Sequence, residues 1–146
     1  MRRLAIGLVA ATALGGCSGP PSLSVDDAWV RLAAVRGAPA AGYFTIHGGP
    51  ADATLIAASC DVAIRTEMHR STTDGRGVAA MAPLASVAVP AGTDVPFSPG
   101  GRHLMLFHMN PGIVPGRTVL LTLSFADGSR IQRKAAVVAA GNAAPE

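Results

Sequence analysis

"TVLLTLSFADGSRIQRKAAVV", Thr118 to Val138, carries the clearest strand–turn–strand pattern in the chain. Two runs rich in strand-forming residues flank Asp127-Gly128, a dipeptide suited to the left-handed backbone of a tight hairpin turn. The stretch reads as a terminal β-hairpin. Working outward, similar short runs recur as "SVDDAWVRLA", "GYFTIHG", "ATLIAAS", "VAIRTEMHR", "GVAAM", "ASVAVP" and "HLMLFHM". Turn signals separate them, among them Gly48-Gly49-Pro50, Asp74-Gly75, Pro90-Ala91-Gly92 and Pro99-Gly100-Gly101. No window of 12 or more residues between these marks keeps a clean helical repeat of apolar residues. The spacing predicts an all-β sandwich or small barrel. Trp29 and Tyr43 fall on its first strands as large core or rim residues. The tail, residues 139–146, reads as frayed.

With 146 residues the chain is the length of one domain. It opens on Met1-Arg2-Arg3 and the apolar run "LAIGLVAATALGG", the layout of a secretory signal peptide and too short to span a bilayer. The run ends "LGGC", similar to a bacterial lipobox, in which Cys17 would be acylated and become the first mature residue. A plain signal peptide cut nearby is the alternative. Residues 1–17 are thus expected to be a signal peptide, 18–23 a tether, and 24–138 the domain. Without Arg2 and Arg3, the 12 basic residues fall to ten against nine acidic, so the mature domain is near neutral. No basic run or aromatic-interleaved patch points to nucleic acid. With Cys17 lipidated, Cys60 is the one remaining thiol and no internal disulfide can form. Core packing must hold the domain together, and 49% hydrophobic residues supply it.

Apart from Met1, every methionine lies between Met68 and Met109, and His69, His103 and His108 lie in the same window. Methionine that merely fills core gaps is the competing explanation. Strand geometry argues for more, because residues two apart share a face: His103 and Met105 project together, while Leu104 and Leu106 point the other way. His108 is expected on the Leu104 face, and Met109 on the Met105 face but too distant to share an ion. His47 ends its run before a turn, where an exposed structural role is the default. Met68-His69 and Met81 end other runs. Imidazoles combined with thioethers form a soft donor set that selects copper(I). Calcium and magnesium require oxygen ligands, and no zinc spacing such as CxxC or HExxH is present.

These residues resemble the periplasmic PCu(A)C-type copper chaperones. That family's signature is a histidine, ten residues, a methionine, twenty-one residues, then His-x-Met. Twenty-one residues separate Met81 from His103, and His103-Leu104-Met105 completes the motif. The likeness extends through "VPAGTDVPFSPGGRHLML", "DAWVR", "AAGYFTI" and "LTLSFADGS". One departure stands out: eleven residues, not ten, separate His69 from Met81. The resemblance implies a cupredoxin-like Greek-key β-sandwich that binds copper(I) outside the cytoplasm through His69, Met81, His103 and Met105. Met68 is the alternative ligand if the longer loop shifts the strand by one residue. It also implies delivery to a recipient cuproprotein such as the copper centre of cytochrome c oxidase, from a periplasmic or membrane-anchored position.

Three other classes compete. Blue-copper electron transfer needs a cysteine thiolate beside the histidines, and Cys60 lies apart from His103 in the sequence. An enzyme has Glu67, His69, Asp74 and His103 to draw on, but no nucleophile motif such as G-x-S-x-G appears. A lipoprotein that keeps the fold as an interaction module without copper transfer is the third, and the longer His69–Met81 spacing keeps it open.

Overall fold

The computed structural model describes residues 21–145, and the signal-peptide and Cys17 expectations lie outside them. The described chain is all-β, with ten strands and no helix. They are β1 (Ser24–Arg31), β2 (Ala40–His47), β3 (Ala53–Cys60), β4 (Ala63–Thr73), β5 (Ala79–Pro83), β6 (Val87–Val89), β7 (Asp94–Phe97), β8 (Arg102–Met109), β9 (Thr118–Phe125) and β10 (Arg130–Val138). Hydrogen bonds link them in the order β5-β4-β8-β2-β1-β10-β9-β3-β6, with β7 paired to β2. The path curls until β3 packs against β4, and the core fills the space between the layers. The first and last strands pair in parallel, tying the two ends of the domain together.

The terminal hairpin expected from Asp127-Gly128 is present. β9 and β10 pair from Ser124–Arg130 to Thr118–Ala136. Gly128 takes φ 87°, and the Asp127 carboxylate accepts from the Ser129 N–H at 2.8 Å and the Ser129 hydroxyl at 2.6 Å. Those hydrogen bonds hold the Asp127 carboxyl below its usual range. Alternation along β9 then sends Val119, Leu121, Leu123 and Phe125 inward. They meet Phe44, Ile46, Leu55, Leu104 and Leu106 from other strands. Each such fully buried side chain contributes roughly 1.5–3 kcal/mol against leaving it in water.

Two departures from regular alternation matter. In β1 the pairing with β2 slips by one residue between Asp26 and Trp29, and Asp27 takes φ 53°. This bulge lets Val25 and Val30 both face the core and turns Trp29 outward. Trp29 packs on Tyr43 with ring centroids 4.4 Å apart, and Arg31 spans both rings while donating to the Tyr43 hydroxyl at 2.8 Å. The aromatic pair is thus a buried cluster on the outer face, with Arg31 over both rings. At the end of β8, His108 also takes φ 53°. Left-handed backbone there breaks the alternation, so His108 is exposed and Met109 packs against the core. Both differ from their expected faces.

Leu23, assigned to the tether from sequence, packs against the core beside Gly49. β7 carries Pro96 opposite Thr45, and with β8 it occupies one edge of β2 in succession. A Cβ at Gly48 would overlap the carbonyl oxygens of Pro90 and Thr93, so only glycine lets the chain pass between β2 and the β6–β7 turn.

Candidate metal centre

β4 lies between β5 and β8, and its register assembles the site. His69 is directly opposite His103, and Glu67 is directly opposite Met105. Directly opposed residues in antiparallel strands share a face, as do residues two apart along one strand. On the other flank of β4, Ser71 is opposite Met81 and His69 is opposite Pro83. His69, Met81, His103 and Met105 therefore project from one face. It is the outer face, because the intervening pair Met68 and Leu104 is buried in the core.

Met68 does not join the others. It is 5% exposed and packs with the core cluster. The β4–β5 pairing runs unbroken from His69–Pro83 to Thr73–Ala79. The eleven-residue spacing is thus absorbed in the turn, where the Asp74 carboxylate accepts from the N–H groups of Arg76 and Val78, each at 2.9 Å. No register slip occurs, so Met81 stays on the His69 face.

The two imidazole centroids are 6.0 Å apart with planes inclined at 32°. A metal–imidazole bond of roughly 2.0–2.1 Å, plus about 1.1 Å from nitrogen to ring centre, permits centroids up to about 6.4 Å apart across one ion. The separation fits a shared ion. Met105 and Met81 are each diagonal to His69, about 7–8 Å away at the backbone and within reach of a flexible thioether. His103 is only 5% exposed although it is on the outer face, whereas Met81 is 61% exposed on the edge strand β5. Among the described residues no three His, Cys, Asp or Glu side chains converge as a metal site. An ion between His69 and His103 would therefore draw on thioethers, which is the soft donor set that suits copper(I).

The imidazoles are held differently. His103 Nδ1–H donates to the Gly101 carbonyl at 3.1 Å, leaving Nε2 with its lone pair. His69 has Nε2 at 2.9 Å from a Glu67 carboxylate oxygen, while its Nδ1 is buried without a hydrogen-bond partner. The hydrogen bond from His69, aided by Arg65, holds the Glu67 carboxyl below the usual carboxylate range. From the sequence, Glu67 enters only as a candidate acid or base of an enzyme. Its position two residues before His69, on the same strand face, was the available signal.

The remaining candidates fall elsewhere. His47 is exposed enough to pair with Asp94, Nδ1 to carboxylate 2.7 Å, at the far end of β2. Cys60 ends β3 beside the start of β4, and from Ala63 to His69 that strand advances roughly 20 Å. Among the described residues no thiolate reaches the histidine pair, so they hold no blue-copper ligand set on this face. Burial pushes the Cys60 thiol up to about 11. At pH 8 only about one thiol in a thousand would ionise, so a disulfide-exchange reagent should label a Cys17→Ser chain far more slowly folded than in urea. Equal rates in the two states would refute this placement of Cys60.

The family described as "Putative lipoprotein LpqE-like" matches residues 23–137, and the chain belongs to it. "Putative lipoprotein Lxx21020" of Leifsonia xyli subsp. xyli (strain CTCB07) is 29% identical over 107 residues, which is 73% of this chain and 64% of that relative. Among solved structures, the copper-bound PCuAC domain from PmoF2 aligns with TM-score 0.66 and 18% identity, over 83% of this chain and 96% of its own. The Cu(I)-bound DR1885 of Deinococcus radiodurans aligns with TM-score 0.63 and 26% identity, over 84% of this chain and 82% of its own. The fold is a cupredoxin-like Greek-key β-sandwich, as the resemblance implied.

Proposed function

We propose that this chain is a copper(I) chaperone working outside the cytoplasm, a carrier with no catalytic role. One observation carries the reading: the direct pairing of His69 with His103, rings 6.0 Å apart, with Met105 and Met81 on the same face. The likeness to PCuAC domains described as copper-bound supports it. In this reading His69 and His103 supply nitrogen, Met105 and Met81 supply sulfur, and Met68 serves the core. The sheltered histidines hold the ion while the exposed Met81 thioether is the ligand an incoming partner displaces first. A recipient with its own soft ligands can then take over the copper one bond at a time. The copper centre of cytochrome c oxidase is such a recipient. Membership in a lipoprotein family supports acylation at Cys17 after removal of the residues before it, with a tether that ends before Leu23 and 139–146 as a free tail. The domain, residues 24–138, would then work tethered to the outer face of a membrane.

Copper(I) titration against a chelating dye, followed by X-ray absorption, tests this directly. One copper per chain is expected, with both sulfur and nitrogen in its coordination shell. Micromolar or weaker affinity, or a shell without sulfur, would sink the proposal.

A further inference from the structure

His69 poses a question about which of its two nitrogens meets the ion. An ionised carboxylate only accepts hydrogen bonds. At 2.9 Å from the Glu67 oxygen, Nε2 of a neutral His69 must therefore carry the ring's proton. The lone pair is then on Nδ1. That atom is closed off from solvent and has no protein partner, a position that costs free energy unless something fills it. It belongs to the ring whose centre is 6.0 Å from that of His103.

We propose that Glu67 is the positioning residue of this centre, fixing His69 in the tautomer that offers Nδ1 to copper. The inference rests on the copper-chaperone reading and adds to it a residue that does not itself touch the ion. The two imidazoles then bind through unlike atoms: His69 through Nδ1, with Nε2–H on Glu67, and His103 through Nε2, with Nδ1–H on the Gly101 carbonyl. A carboxylate behind a ligating imidazole locks the ring's orientation and raises its basicity, and removing such a partner typically weakens metal binding about 10–100-fold. Glu67 is itself steered by the Arg65 guanidinium at 3.3 Å, which lies over the Phe107 ring. This gives the carboxylate a fixed position on an otherwise exposed strand face.

The test uses the Cys17→Ser chain, so that Cys60, which is buried, is the one thiol left. Long-range nitrogen–proton correlations in the metal-free chain should show His69 as the Nε2–H tautomer and His103 as the Nδ1–H tautomer. Copper(I) affinity should fall about 10–100-fold in Glu67→Ala and largely return in Glu67→Gln, whose amide oxygen still accepts the Nε2–H. Arg65→Ala should stay within about threefold of the parent chain, since the His69 contact survives it. An Nδ1–H tautomer at His69, or parental affinity in Glu67→Ala, would overturn the assignment while leaving the chaperone reading intact. Micromolar binding by the parent chain would overturn both.

Discussion

His103→Ala should weaken copper(I) binding by more than about 100-fold, beyond the loss expected from any residue that acts only behind a ligand. The reason is geometric. His103 is directly opposite His69, and its Nδ1–H is already committed to the Gly101 carbonyl, so its Nε2 has no competing protein partner to release. Losing it leaves one imidazole and two thioethers, none of them charged. Met105→Leu is the companion substitution, because it removes the sulfur while conserving volume. Affinity should fall with little change in melting temperature. Equilibrium competition with a copper(I) dye measures both variants, and an affinity within about threefold of the parent for His103→Ala would contradict the site.

Leu104→Ala, one residue away, should do the reverse. Leu104 is fully buried and faces Met68 across the β4–β8 pair. Truncating a buried leucine costs about 2–5 kcal/mol. For a domain of this size that corresponds to a melting temperature lower by roughly 10–20 °C. Copper(I) affinity, measured well below that melting point, should stay close to the parent value because the other face of the strand is untouched. Thermal unfolding followed by circular dichroism reads the first effect and dye competition the second. A stable Leu104→Ala chain that no longer bound copper would mean that the two faces of β8 had been assigned the wrong way round.

Much of this was legible in the sequence, and the misses have physical causes. Turn chemistry at Asp127-Gly128 and the two-residue alternation of β9 marked the terminal hairpin because both are local. The pairing of His69 with His103 was not local: it depends on β4 and β8 meeting in one register, which no single run encodes. β7 escaped notice because it is four residues long and contains Pro96. His108 and Met109 were assigned by regular alternation, and a single left-handed residue undid it. Met68 stayed open as a ligand because the longer loop left the strand's direction undetermined, until the unbroken β4–β5 pairing fixed it. Glu67 was overlooked since a carboxylate is not a soft ligand, although its value here would be as a neighbour of one.

The bulge at Asp27 also sets how this sequence can change length over evolutionary time. A residue gained in the Asp74–Val78 turn alters only a solvent loop, and lengthening such a loop costs little. A second residue gained beside Asp27 would exceed the one that the bulge absorbs and would exchange the two faces of β1 beyond that point. Val30 would leave the core, and Trp29 and the Arg31 guanidinium would be driven into it. Insertions are therefore predicted to accumulate after β4 and to be purged from β1, although each adds the same single residue.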